Sequence, residues 1–237
     1  MSIWEKLAAG AELGIGGRIG ALLDGMKGNR VIDGDREQDR PENQVAFTVG
    51  VIALGAKMAR ADGVVTRDEV FAFKEAFKVS DAEMKHAARV FNLAKRDVAG
   101  YETYAEELVI VFKGNRKLLE DVLDGLFHIA KADEALHPEE EQFLGQVAKR
   151  FGFTDTEFGY VKARHVAAAK RNPYDVLGVE PSIGDEELKS HYRRLLADNH
   201  PNKLIARGVP EEFVTIATEK IVTLNDAYGA IAKERGI

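Results

Sequence analysis

The chain has 237 residues, room for one or two domains, and its 45% hydrophobic and 30% charged content is that of a soluble globular protein. With 33 basic and 39 acidic residues the net charge is −6, so the basic excess of a dedicated nucleic-acid binder is missing and no nucleic-acid partner is expected. There is no cysteine, which excludes disulfides, thiolate metal sites and cysteine nucleophiles. No nucleophile–base pair or metal triad is recognisable, so the chain is not expected to be an enzyme and requires no cofactor.

Residues 3–26 carry an apolar stripe at helical spacing: Ile3, Leu7, Ala11, Ile15, Ile19, Leu22 and Met26. Gly10, Gly14, Gly16, Gly17 and Gly20 lie in the same stretch, each costing roughly 1 kcal/mol in a helix interior. Glu5, Lys6, Glu12, Arg18 and Asp24 interrupt it, whereas a membrane span needs ~20 mostly apolar residues. Neither a span nor a secretory signal is predicted, and a cytoplasmic location is expected. Three roles remain open: packing on the chain's own body, pairing with a second copy through small residues four apart, and peripheral contact with a membrane. The charged stretch 24–43 reads as a linker, so residues 1–43 form an N-terminal unit.

From residue 44 to 170 the pattern is helical throughout, with helices predicted near 44–61, 66–78, 81–96, 101–113, 116–132, 138–151 and 155–170. Thr66 with Glu69, Ser80 with Glu83 and Thr154 with Glu157 have capping-box spacing, and His137-Pro138 places proline in a first helical turn. No segment alternates as a strand does, and the fold class is all-α. A degenerate repeat runs through this region: Ala59-Arg60-Ala61-Asp62 with Thr66 and Glu69 corresponds to Ala130-Lys131-Ala132-Asp133 with His137 and Glu140. Phe73 and Leu144 are then equivalent core positions. On these residues the region resembles the TerB-like domain, an all-helical module associated with tellurite resistance and stress. The acidic turns allow two readings. Asp62, Asp68 and Glu69, and Asp133, Glu139 and Glu140, could gather oxygen ligands for a divalent cation. Alternatively they are carboxylates stabilised at helix starts without any metal.

Asn172-Pro173 opens a third unit, residues 171–237. Tyr174 to Val179 reads as a short helix closed by glycine, followed by a helix from about Asp185 to Asn199 with Leu188, Tyr192 and Leu195 on one face. A loop holds His200-Pro201-Asn202-Lys203. The last helix, about 211–235, carries Phe213, Ile216, Ala217, Ile221, Leu224, Tyr228 and Ile231 on one stripe. Taken alone, this predicts only a helical hairpin.

The ordered words Tyr-Asp-Val-Leu-Gly-Val, Tyr192-Arg193-Arg194-Leu195, His200-Pro201 and Leu224-Asn225-Asp226-Ala227-Tyr228 resemble the J-domain of DnaJ co-chaperones. Residues 202–210 look like the long loop of the DjlA subgroup, which joins a TerB-like domain to a C-terminal J-domain in the order found here. The resemblance implies a DnaK-class partner, engaged by His200, Pro201, Asn202 and Lys203 together with the basic face Lys189, Arg193 and Arg194. It implies that the TerB-like region binds a client, an assembly partner or an ion.

Two departures from the subgroup stand out. DjlA proteins begin with a transmembrane helix, and this N-terminus is broken by charges. The family loop reads His-Pro-Asp, and position 202 is asparagine. Asparagine keeps the shape of aspartate but loses its charge and adds donors. Two alternatives follow: a J-like adaptor that docks without stimulating ATP hydrolysis, and a metal-responsive stress protein acting through the TerB-like region.

Overall fold

A computed structural model describes residues 41–61, 88, 91, 100–131 and 136–237, and every element there is helical. The fold is all-α. The N-terminal segment up to residue 40 and the predicted helices 66–78 and 81–96 lie outside the described residues, except that Ala88 and Phe91 are helical.

Helix α1 (Pro41–Ala61) starts three residues before its predicted position because Pro41, within the predicted linker, serves as a first-turn proline. Every residue from Val45 to Ala59 is buried, Thr48 and Lys57 among them, so α1 is covered on all sides and forms the centre of the bundle. Around it stand α2 (Tyr101–Val111), α3 (Arg116–Ala130) and α4 (Pro138–Arg150), and α5 (Asp155–His165) packs on α3 and α4. Phe47, Ile52, Leu54, Met58, Tyr104, Leu108, Leu118 and Phe127 are its largest fully buried side chains. Gly50 lets α2 close on α1: a Cβ there would stand 2.6 Å from Leu108 Cδ2.

The start signals are realised in hydrogen bonds. A cap not singled out in the sequence opens α3, where the Asn115 side chain accepts from the Leu118 N–H. Thr154 Oγ1 accepts from the Glu157 N–H at 3.2 Å, and Glu157 Oε2 accepts from the Thr154 N–H at 2.8 Å. Leu144 is fully buried, as its place in the repeat requires; its counterpart Phe73 lies outside the described residues. Helix α5 ends at His165, five residues before the predicted 170. The Val166 carbonyl accepts from Arg171 Nε at 2.8 Å and the backbone turns extended there, with a single 3-10 turn at Ala168–Lys170.

Beyond the bundle come α6 (Pro173–Leu177), α7 (Asp185–Asp198), α8 (Pro201–Ala206) and α9 (Val214–Arg235). Asn172 caps α6, Pro173 is its first residue, and Gly178 closes it at φ +68°, a left-handed position that favours glycine. A small second core holds Val176, Leu177, Leu188, Leu224, Ala227 and Ile231, with Ala163 contributed by α5. Tyr192 and Tyr228 stack across it, ring centroids 4.0 Å apart and nearly parallel.

Two expectations are corrected here. Residues 200–203 are not a loop. Pro201, Asn202 and Lys203 form the first turn of α8, which proline at its first position and a capping residue before it both favour. Nor does the stripe of the last helix serve one hairpin. Leu224, Ala227 and Ile231 enter the small core, whereas Phe213, Ile216 and Ala217, with Leu204 and Val209, are buried in the core of the bundle. At 22 residues α9 is about 33 Å long and reaches both cores. Phe213 sets its ring edge-on to Phe47 at 4.9 Å, and a Cβ on Gly125 would meet it at 2.9 Å.

Candidate interaction site

The tip between α7 and α8 is built from backbone capping. His200 is the cap residue of α8, and its Nδ1 accepts from the Asn202 N–H at 3.3 Å. The neutral ring therefore carries its proton on Nε2. His200, Asn202 and Lys203 are exposed and Pro201 is half-buried. The capping role expected of many histidines thus coexists with a ring edge open to a partner.

Lys189, Arg193 and Arg194 are exposed on α7 and make no ion pair with another described residue. Four-residue spacing puts Arg193 on the same side of the helix as Lys189, and Arg194 stands exposed next to Arg193 in sequence, further round the helix. The opposite side of α7 points inward: Leu188 is fully buried, and His191 Nε2 hydrogen-bonds the Leu177 carbonyl oxygen at 2.8 Å. Lys203 lies 3.3 Å from Asp198 Oδ1, and Lys117, at the start of α3, also pairs with Asp198.

Behind the tip lies a buried charge network that was not singled out in the sequence. Three carboxylates on α3, Glu120, Asp121 and Asp124, face Arg164 and His165 of α5, Arg207 after α8, and Lys220 of α9. Arg207 holds Asp121 with two bonds, Nε to Oδ2 at 2.6 Å and Nη2 to Oδ1 at 2.7 Å. Its remaining nitrogen, Nη1, donates to the Asp198 carbonyl at 2.7 Å. Lys220 Nζ donates to Asp124 Oδ2 at 2.7 Å and Glu120 Oε1 at 3.1 Å, and Arg164 pairs with Glu120.

Burial pushes the Glu120 carboxyl up, but Lys220 and Arg164 outweigh it and hold the group down at about 2. Asp124 is likewise held well below the usual carboxylate range, because Lys220 and the His165 hydrogen bond overcome its burial. For Asp121 burial wins over Arg207, and its carboxyl rises to about 6. Burial lowers His165, which stays neutral at pH 7, donates to Asp124 Oδ1 at 2.7 Å and stacks on Phe127 with centroids 4.8 Å apart. With three carboxylates facing Arg164, Arg207 and Lys220, no charge is left uncompensated. One signal of this network was legible: Lys220 stands in register within the apolar stripe of α9, where a lysine requires a buried acid.

Comparison with known proteins decides the family. A family model described as tellurite resistance protein TerB matches residues 48–163, and the DnaJ domain model matches residues 172–235. The co-chaperone protein DjlA of Photobacterium profundum is 28% identical, covering 86% of this chain and 83% of that protein. DjlA of Coxiella burnetii is 27% identical over 99% of each chain. The chain is a DjlA-like protein. DjlA of Escherichia coli is 24% identical across the whole of this chain. No solved structure matches the chain. As a DjlA-like protein with a J-domain, the chain is a non-enzymatic regulator of a DnaK-class chaperone.

Of the cation candidates, Asp62, Asp68, Glu69 and Asp133 lie outside the described residues. Glu139 is exposed, and Glu140 is buried with its Oε2 accepting from the His137 N–H at 2.9 Å. Glu140 thus caps its own helix. Among the described residues no group of three or more histidine or acidic side chains converges as a metal site. Among the described residues no helix is long and apolar enough to cross a membrane.

Proposed function

We propose that the chain recruits its DnaK-class partner through His200, Pro201 and Asn202 together with Lys189, Arg193 and Arg194, while the TerB-like bundle receives a client or assembly partner. The observation that carries this reading is the set of three exposed cations on α7, unpaired among the described residues, on the helix that leads into an exposed tip. Such a face is attracted to an acidic surface and speeds encounter in a salt-dependent way. We place the protein in the cytoplasm, with its N-terminal segment pairing two copies or touching a membrane surface peripherally.

The test is binding of the cognate DnaK measured by fluorescence anisotropy at increasing salt. Affinity falls with salt for the wild type. Arg193→Glu with Arg194→Glu weakens binding about tenfold or more at low salt and flattens the salt slope. Binding that is indifferent to both would refute this docking face.

Asn202 favours a second reading, in which the J-domain docks without stimulating ATP hydrolysis. The wild type would then bind normally, and only Asn202→Asp would stimulate.

A further inference from the structure

Asp198 and Arg207 stand at the two ends of the segment that contains His200, Pro201 and Asn202, and one guanidinium joins them. Arg207 Nη1 holds the Asp198 carbonyl at 2.7 Å, while Nε and Nη2 hold Asp121 of the bundle at 2.6 and 2.7 Å. Asp121 is 6% exposed, on a helix whose neighbours Leu118, Leu119, Val122 and Leu123 are fixed in the bundle core. The Asp198 carboxylate is held again by Lys117 of α3. On the far side, Leu204 and Val209 are buried in the bundle. Gly208, at φ +102°, lies against Asn43 at the start of α1, where a Cβ would meet Asn43 Cβ at 2.5 Å.

We infer that the TerB-like bundle is the positioning element of the J-domain tip, with Arg207 as the positioning residue. Asp121 fixes Arg207, Arg207 fixes the end of α7, and the separation of the two ends sets how His200 and Asn202 are presented. A flexibly tethered J-domain would show none of these bonds. The bidentate fork with a third donor is particular to arginine: a lysine presents a point charge and cannot bridge both acceptors in this geometry. The inference rests on the proposed docking role of the tip for its functional consequence, though not for the tie itself. It separates two surfaces: the α7 cations lie outside the tie and give encounter, whereas the tip inside it gives the productive geometry.

The test uses the full chain and the paired variant Asp121→Leu with Arg207→Met. Removing both charges together leaves no buried ion unpaired, and such replacements often preserve or raise stability. Arg207→Lys serves as a second, milder variant.

Two readouts apply. Amide exchange of residues 198–207 quickens about tenfold or more in the paired variant, while amides of α1 and α3 exchange as in the wild type. Maximal stimulation of the cognate DnaK ATPase falls about three- to tenfold, while the concentration for half-maximal effect stays within about twofold, because Lys189, Arg193 and Arg194 are untouched. Both are measured with and without Asn202→Asp.

A paired variant that melts like the wild type, keeps slow exchange at the tip and stimulates fully would overturn the inference. If neither the wild type nor Asn202→Asp stimulates at all, the proposed co-chaperone output fails instead, and exchange at 198–207 still decides the tie.

Discussion

Asn202 occupies the second position of α8 with its side chain in solvent, and its described hydrogen bond uses the backbone N–H. Replacement by aspartate therefore leaves every described contact in place, and the melting temperature should stay within about 1 °C or rise slightly, since a carboxylate suits a helix start. Glu140 behaves oppositely, because its side chain is buried and does local work. Glu140→Ala should cost about 1 kcal/mol, read from urea denaturation, and the loss should be the same with and without millimolar calcium. A loss that appears only in calcium would restore Glu140 as a cation ligand. At this scale the sequence was informative where a side chain serves its own turn, as at Thr154 and Asn172. It was silent on Arg207, whose three acceptors come from Asp121, 86 positions away, and from the end of a different helix.

Helices α3 and α9 show how periodicity reveals a buried face without naming what it is buried against. The stripe of α9 is continuous in sequence, yet Phe213 and Ile216 enter one core and Leu224 and Ile231 another. Nothing in a 3.6-residue repeat distinguishes the two. Phe213→Ala should cost about 3–5 kcal/mol, because it empties space shared with Phe47 and Gly125, and should expose tip amides to exchange. A cost below about 1 kcal/mol would mean that Phe213 is not held in the bundle core.

The network between these helices predicts acid sensitivity. Glu120 is depressed from the usual 4.5 to about 2, so its contribution is full above pH 4.5 and is lost as pH falls towards 2. Asp124 acts in the same direction. Asp121, raised to about 6, is stabilised by protonation between about pH 6 and 4, which offsets losses there. The melting temperature should accordingly hold or rise slightly from about pH 6 to 4.5 and fall below about pH 4. Glu120→Gln should lower the plateau and flatten that acid limb. An unchanged acid limb in Glu120→Gln would show that Glu120 is not held ionised by Arg164 and Lys220.

Across the whole molecule the two family matches, residues 48–163 and 172–235, name two domains, and the described structure binds them by a shared apolar seam and a balanced charge cluster. A single calorimetric transition is expected for the described body, because α9 cannot leave the bundle without opening the small core. Two well-separated transitions would contradict that coupling.

The measurement that bears most directly on the account is single-turnover ATP hydrolysis by the cognate DnaK, with the wild type beside Asn202→Asp. A charge-assisted contact is worth ~1.5–3 kcal/mol, so the aspartate variant should stimulate about ten- to a hundredfold more at equal binding. A chain that binds through the α7 cations yet gains nothing from the carboxylate would show that the tip is read by shape. A chain that neither binds nor stimulates in either form would contradict its assignment to a DnaK-class partner through this site.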